Sequence, residues 1–175
     1  MRAFRGLPPL FWRLWAAALI NRLGTFVVPF LALYLEGERG LGGRGAGPVV
    51  AAFGAGAICA GPLGGALADR LGRRRAIAGG MALCAGALGG LLVARSTGEL
   101  ALAALVLGLA HELPRPAMSA MVADLVPLED RPRAYGALYW AANLGFALAG
   151  VLAGLAALAS FTWLFVIDAA TSLAC

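Results

Sequence analysis

The sequence predicts an all-α integral membrane protein, a bundle of five complete transmembrane helices followed by a truncated sixth. Of its 175 residues, 61% are hydrophobic and only 13% are charged, and the mean hydropathy is +0.84. A soluble domain carries about a quarter charged residues, so this chain lacks the polar surface that a water-exposed globule needs. The third observation is that apolar segments of membrane-spanning length recur between short polar stretches.

Each apolar segment is interpreted as a helix, because lipid cannot satisfy an open backbone and about 20 apolar residues cross the bilayer. The first segment is interpreted as a retained span rather than a signal peptide, since Asn21 and Arg22 interrupt its apolar run. The last segment is too short to span comfortably and is interpreted as a helix cut by the end of the chain. One transmembrane domain over residues 1–175 is expected, with spans at about residues 14–35, 49–68, 76–94, 100–126, 134–157 and 161–175.

Glycine pairs at four-residue spacing occur in the second, third and fifth spans. Small residues at this spacing let two membrane helices approach closely. We therefore expect packing seams at three pairs: Gly61 and Gly65, Gly86 and Gly90, and Gly150 and Gly154.

The arginines predict the orientation of the spans. The net charge of +5 comes from arginine alone, since the chain has no lysine. Nine arginines lie before the first span and in the loops after the second and fourth spans, and three lie in the other two loops. The positive-inside rule then places the N-terminus in the cytoplasm and explains the basic charge better than nucleic-acid binding does.

A dense polar stretch, residues 65–75, forms the loop between the second and third spans. Gly72 permits the tight turn that so short a loop between antiparallel helices requires. Asp69 ends the second span and Arg73 leads into the third, so these two residues are expected to pair across the turn. Judged by its charges alone, the stretch could equally be a positive-inside anchor.

The pattern Gly65-x-Leu-Ala-Asp-Arg-x-Gly-Arg-Arg74 resembles the signature of the 2–3 cytoplasmic loop in major facilitator superfamily transporters. The whole chain looks like the N-terminal six-helix half of such a twelve-helix transporter, which contains a 3+3 inverted repeat. Tyr34 near the end of the first span, and Asp124-Leu-Val-Pro127 followed by Arg131, resemble the drug-efflux-type, or drug:proton antiporter, members.

The resemblance implies a conformational latch, in which an aspartate and an arginine of the loop share a charge network with an acid at the end of span four. For Arg74 and Arg75 the simpler role of a membrane-surface anchor is preferred. The latch residues that it implies are Gly65, Asp69, Arg70, Gly72, Arg73 and Asp124.

Ionisable residues inside predicted spans are costly and are therefore functional candidates. Arg22 lies nine residues after Arg13, and Arg115 lies nine residues before Asp124. At 1.5 Å per residue both are about 13 Å from the cytoplasmic surface. Glu112, one turn before Arg115, is the expected partner of either arginine. The predicted substrate and proton pathway contains Asn21, Arg22, His111, Glu112, Arg115, Asn143 and Asp168.

Three interpretations of this charged group stay open. Glu112 could be a protonatable group whose state biases the conformational equilibrium. The arginines could instead bind an anionic substrate, or the group could be only an internal salt bridge. Pro114 and Pro116 are expected to kink the fourth span beside the charges.

The resemblance implies a secondary active transporter of small molecules that works by alternating access, with proton-coupled efflux as the favoured subtype. Two features depart from efflux-type members. An arginine early in span four is replaced by Ala104, and residues 145–154 lack the Gly-Pro pair of antiporters. Uptake of a small anionic metabolite is the alternative within transport, and a non-transporting membrane fragment or remnant is the alternative of another class.

We expect no enzyme activity, because the single histidine has no paired nucleophile and neither a phosphate-binding loop nor a metal cluster is present. No catalytic residue, metal or cofactor is therefore predicted, and a proton gradient is the expected energy source. The expected partners are a small-molecule substrate, the lipid bilayer and the missing C-terminal half, with no nucleic acid. The expected location is a bacterial inner (plasma) membrane, multi-pass, with a cytoplasmic N-terminus.

Overall fold

The structure, a computed structural model, describes residues 6–23, 27–157 and 161–174. Every regular element within these residues is helical, which confirms the predicted all-α class. A 3-10 turn, Leu128–Asp130, precedes the seventh α-helix. The α-helices are α1 Pro9–Leu23, α2 Val27–Gly37, α3 Gly42–Leu71, α4 Arg73–Val93, α5 Thr97–Glu112, α6 Pro114–Leu125, α7 Arg131–Ala157 and α8 Phe161–Ala174.

The two larger apolar cores of the described residues lie at opposite ends of the bundle, and a smaller cluster contains Ala68, Ala76 and Ala117. At the end that contains Arg73, which we call the Arg73 end, Phe11 and Leu14 of α1 pack with Val122 of α6 and Ala137 of α7. At the other end, which we call the Arg39 end, buried residues of α2, α3, α4, α5 and α8 form the larger core. In a lipid environment the helices of such cores are held together by close van der Waals packing and interhelical hydrogen bonds, because lipid tails are as apolar as the side chains.

The helix ends differ from the predicted span ends in several places. The first predicted span corresponds to α1 and α2, and α1 begins earlier than predicted, at Pro9. The second corresponds to a longer helix, α3, which contains Pro48 and Pro62. The fourth is divided at Leu113 into α5 and α6. This division lies where the prolines were expected to kink the span, because neither Pro114 nor Pro116 can donate a backbone hydrogen bond.

Two helices of the described chain, α3 and α4, are long and apolar enough to cross a membrane by length and composition. The fourth predicted span is divided into two shorter helices, and the described parts of the first are α1 and α2, on either side of residues 24–26. The number of spans and the 3+3 inverted repeat stay predictions.

Glycines other than the predicted pairs bring α3 against α5 and α6. A Cβ on Gly56 would overlap the backbone of Leu105, and a Cβ on Gly108 would overlap the backbone of Phe53. Further along α3, a Cβ on Gly64 would overlap the carbonyl of Leu113, where α5 gives way to α6. The helices therefore meet backbone to backbone, which only glycine allows.

The predicted glycine seams are mostly wrong within the described residues. A Cβ added to Gly61, Gly65, Gly86 or Gly150 meets nothing within 4 Å. One added to Gly90 makes an ordinary contact of 3.5 Å with the Ala103 Cβ. Gly154 lies where side-chain surroundings are not described. Four-residue spacing places a pair on one face of a helix, but it does not say which face points inward.

Arg39 connects α2, α4 and, through Tyr34, α8 at the Arg39 end. Its guanidinium donates to the carbonyls of Leu91 at 2.7 Å, Leu92 at 2.9 Å and Ala94 at 3.0 Å, at the C-terminal end of α4. Its Nε donates to the Tyr34 hydroxyl at 2.6 Å. A cation at a helix C-terminus satisfies carbonyls that the helix itself cannot pair. The Tyr34 ring in turn packs on an α8 ring, that of Phe165.

A capping box begins α5 just after this contact. The Ser96 side chain accepts from the Glu99 amide, and the Glu99 carboxylate accepts from the amides of Arg95 at 2.6 Å and Ser96 at 3.3 Å. These amides stabilise the ionised carboxylate and lower the pKa of Glu99 below its ordinary value. The box fixes where the fourth predicted span begins.

Gly108→Ala should destabilise the bundle, because the new methyl would overlap backbone that cannot move without separating α3 from α5. We expect a loss of about 1–3 kcal/mol, measured as a lower midpoint of thermal unfolding in detergent. Gly61→Ala is the matched control, since it adds the same methyl to an open helix surface and gains up to about 1 kcal/mol of helix propensity. Equal midpoints for the two variants would contradict the backbone contact.

Candidate functional site

A cavity of about 690 Å³ opens between α1, α6 and α7, with single residues of α4 and α5 in its wall. Its size is that of pockets that hold drug-sized ligands. The lining residues are Ala18, Asn21, Arg22, Met81, His111, Pro114, Arg115, Met118, Ser119, Tyr135, Gly136, Leu138, Tyr139 and Ala142.

The break between α5 and α6 supplies most of the polar wall. His111 and Glu112 are the last residues of α5, and Arg115 is the second residue of α6. Because the break lies at Leu113, the charged residues on its two sides stay within one turn of each other. Arg22, in the last turn of α1, lies beside His111 in the same part of the cavity wall.

Four side chains form a polar row beside the cavity. Arg22 Nη1 lies 3.5 Å from His111 Nε2, and His111 Nδ1 lies 3.2 Å from the Glu112 Oε1. Arg115 Nη1 lies 2.9 Å from the Glu112 Oε2. Since arginine can only donate, these partners suit a neutral His111 that accepts at Nε2 and donates at Nδ1 to Glu112. The row connects both membrane arginines through one imidazole and one carboxylate.

The residues in this row differ in exposure. The His111 side chain is 11% exposed and the Glu112 side chain 23%, whereas the Arg115 side chain is 65% exposed. Glu112 is not among the residues that line the cavity. Its carboxylate contacts His111 Nδ1 and Arg115 Nη1. The described cavity wall therefore presents two guanidiniums and an imidazole but no carboxylate.

The opposite wall is aromatic and apolar. Tyr135 and Tyr139, one turn apart on α7, line it, and the Tyr135 hydroxyl donates to the Ser119 carbonyl at 2.9 Å. Met81 of α4 and Met118 of α6 add two thioethers to the cavity lining. The sequence interpretation missed these residues, although the four-residue spacing of the two tyrosines, which places them on one helix face, was a usable signal.

The structure brings together five of the predicted pathway residues. Asn21, Arg22, His111 and Arg115 line the cavity, and Glu112 supports two of them. Asn21 also donates from Nδ2 to the Met81 sulfur at 3.3 Å.

Two predicted pathway residues lie elsewhere. Asn143 is exposed on α7 and donates to the carbonyl of Tyr139 in its own helix at 2.7 Å. Asp168 is 5% exposed and lies between α8 and α4, near the Cys84 thiol and the Ser172 hydroxyl. Neither residue lines the cavity. In the part of the chain that the structure describes, no group of three potential metal ligands occurs.

The loop that carries the predicted latch lies at the Arg73 end. Gly72 separates α3 from α4 with a φ of +85°, a backbone conformation that favours glycine. Arg73 forms an ion pair with Asp124 at the end of α6, and its Nη1 also donates to the Ala120 carbonyl at 2.7 Å. The expected partner of this network, Asp124, is therefore in contact with Arg73.

Asp69 is exposed and makes no ion pair with Arg73 or with any other residue in the described ranges. The expected contact across the turn is replaced by the Arg73–Asp124 pair. The reason is geometric. The Arg73 side chain, at the start of α4, contacts α6, whereas Asp69 is on the exposed side of α3. Gly65 is partly buried, and Arg70 is exposed at the same helix end.

The family-level sequence profile described as Major Facilitator Superfamily matches residues 14–175. The chain is 29% identical over 128 residues to the quinolone resistance protein NorA of Staphylococcus aureus, covering 73% of this chain and 33% of that protein. It is 27% identical over 153 residues to the uncharacterized MFS-type transporter YqjV of Bacillus subtilis, covering 87% of this chain and 37% of that protein. It thus spans about a third of the length of these relatives.

A solved structure shares the fold. A crystal structure of the peptide transporter POT in complex with sulfate superimposes with a TM-score of 0.81 and 25% sequence identity. The match covers 97% of this chain and 36% of that one. The helix arrangement described above is therefore that of part of a larger helical transporter fold.

A double-mutant cycle should detect the Arg73–Asp124 pair. Because the two side chains are 34% and 57% exposed, we expect a coupling of about 0.2–1 kcal/mol between Arg73→Gln and Asp124→Asn. Arg73→Gln alone should cost more than Asp124→Asn, since it also removes the bond to Ala120. The measurement is thermal unfolding in detergent, with Arg74→Gln as a control for loss of charge. Strict additivity would show that the pair contributes nothing.

Proposed function

The chain belongs to the major facilitator superfamily, and from this premise we propose that it forms part of a secondary active transporter that moves a small organic molecule by alternating access. Membership confirms the resemblance seen in the loop motif and places the protein among transporters rather than enzymes. The observation that carries the proposal is the cavity, which has a drug-sized volume and a polar row at a helix break. Substrate sites in this class of transporter lie at such interrupted helices.

Proton-coupled efflux is the subtype we propose first. NorA, the relative in Staphylococcus aureus, is named for quinolone resistance, and transfer of that role to this chain is part of the proposal. Within the site, Glu112 and His111 are the groups that could exchange a proton. Protonation of Glu112 would release Arg115 from its ion pair and change the charge of the cavity wall, which is the differential interaction that coupling requires.

Uptake of a small anionic metabolite is the second candidate, and the charge of the described cavity wall favours it. Two guanidiniums face the cavity, and the carboxylate lies behind them. The same fold can support uptake or efflux, because in alternating access the coupled gradient sets the direction of substrate transport.

The remaining assignments follow from the proposed transport cycle. The Arg73 end is the cytoplasmic end of a multi-pass protein in a bacterial inner membrane, and the partner of this chain is a second six-helix half. Asp69, exposed beside the Arg73–Asp124 pair, is available to that second half. The loop motif then latches the two halves in one state and releases them in the other.

Glu112→Gln in the full-length gene product should abolish transport driven by a pH gradient, because the amide cannot take up the proton yet keeps nearly the same shape. Flux into proteoliposomes with an imposed pH gradient measures this. Glu129→Gln, a change at an exposed acid in the loop before α7, is the matched control and should leave flux intact. Undiminished proton-driven flux in Glu112→Gln would exclude the coupling role.

Asp69→Asn should slow turnover more than it weakens substrate binding, because a latch acts on the conformational step and not on the cavity. We expect the rate of transport to fall by about tenfold or more while the dissociation constant changes by less than about twofold. Asp130→Asn, a substitution in the neighbouring loop that breaks only the local pair with Arg133, is the control. A parallel fall in binding and turnover would argue against a latch.

A further inference from the structure

We infer that the cavity takes an organic monoanion with an aromatic body, in which Arg22 binds the anionic group and the α7 tyrosines contact the ring. This inference rests on the proposed transport site but not on the direction of transport. It names the chemical class of the substrate from the charges and side chains of this cavity.

The first step concerns charge. Arg115 is neutralised by the Glu112 carboxylate at 2.9 Å. Arg22, by contrast, has no carboxylate within 4 Å in the described part of the chain, and the neighbour of its Nη1 is the His111 imidazole at 3.5 Å. The four-residue row therefore carries one positive charge in excess, located on Arg22.

The second step concerns the cost of that charge. An arginine inside a membrane span is expensive unless it is paired or reaches water. Arg22 is only partly exposed and points into the cavity. A carboxylate or a similar oxyanion would satisfy it with two parallel, charge-assisted hydrogen bonds. Because the row has one excess positive charge, a singly charged anion makes its net charge zero, whereas a doubly charged anion would make it negative.

The third step concerns the rest of the ligand. Tyr135 and Tyr139 lie one turn apart on α7 and both line the cavity, and their exposed fractions are 40% and 73%. Met81 and Met118 add polarizable sulfur contacts that suit aromatic rings. Across a cavity of about 690 Å³, the arginine on one wall and the rings on the other fit a molecule with an anionic end and an apolar, aromatic end.

The same wall disfavours other charge classes. An organic cation would meet the excess positive charge on Arg22 and no facing carboxylate, so like charges would repel it at short range. A neutral analogue of equal shape would keep the ring contacts but leave Arg22 uncompensated. The expected order of affinity is therefore anion, then neutral analogue, then cation.

The test uses three fluorescent dansyl probes, of which dansylglycine and dansylglycinamide match in size, and the purified full-length gene product in nanodiscs at pH 7. Dansylglycine carries one carboxylate, dansylglycinamide is its neutral amide, and dansylcadaverine carries an amine. We expect dansylglycine to bind on the order of tenfold or more tightly than the amide, because a charge-assisted pair replaces a neutral contact. Equal affinities, or tighter binding of dansylcadaverine, would overturn the inference.

Variants separate the anion contact from general damage. Arg22→Gln should remove most of the preference for dansylglycine over the amide, because neither probe then meets an uncompensated guanidinium. Arg22→Lys keeps the charge but loses the planar fork, so it should retain a part of the preference. Arg74→Gln, which removes the same charge from the exposed loop, is the control and should keep the whole preference. A preference that survives Arg22→Gln would place the anion contact elsewhere and overturn the assignment of Arg22.

Flux measurements with the same probes in proteoliposomes distinguish this inference from the proposed function. If dansylglycine binds through Arg22 but no probe crosses the membrane, the charge class stands and transport fails. If the flux of dansylglycinamide above that of protein-free liposomes equals that of dansylglycine, and the two bind equally tightly, transport stands and the charge class fails.

Discussion

The contact of α3 with α5 and α6 through glycine is the constraint on which the site depends. Gly56 and Gly108 bring the two backbones together, and Gly64 receives the Leu113 carbonyl where α5 gives way to α6. On the other side of the break, Gly80 of α4 leaves room for the Pro114 ring. Because rigid backbone holds the break from two directions, the residues that flank it, His111 and Arg115, have little freedom to move relative to α3 and α4. If the break were loosely packed, the charged residues that line the cavity would not keep fixed positions relative to one another.

The two ends of the bundle fix the remaining geometry by polar contacts of different kinds. At the Arg73 end, Arg73 bridges α4 to the end of α6, so α6 is held at both of its ends. At the Arg39 end, Arg39 covers the last carbonyls of α4 and orients Tyr34 against α8. The α4 helix is therefore tied at each terminus by an arginine, and it provides a rigid support between the larger core and the cavity. A support of this kind is what a six-helix half needs if it is to move as one body.

The sequence predicted which charged residues lie at the site better than it predicted how the helices pack. Counting helix rise from Arg13 and from Asp124 put Arg22 and Arg115 at one depth, and both line the cavity, because the rise per residue is nearly constant even across a one-residue break. The glycine pairs failed, since spacing cannot distinguish a face that packs from a face that is exposed, as at Gly61. Asp168 was placed in the pathway on its charge alone, whereas its position between α8 and α4 depends on tertiary packing that no local pattern encodes.

The excess charge of the cavity also constrains how protons and substrate influence each other. An anion near Arg22 stabilises added positive charge on the nearby His111 or loss of negative charge on Glu112, and by linkage a proton there strengthens anion binding. Electrostatics alone thus makes the proton and an organic anion bind together, which suits symport and uptake. Export of an anion would instead be driven by the membrane potential, worth about 2.3 kcal/mol per charge per 100 mV. It would also require steric exclusion, rather than electrostatic repulsion, to prevent the proton and the substrate from binding together. The direction in which pH changes anion binding is therefore the property that distinguishes the two transport directions, and the positions of Arg22, His111 and Glu112 set its sign.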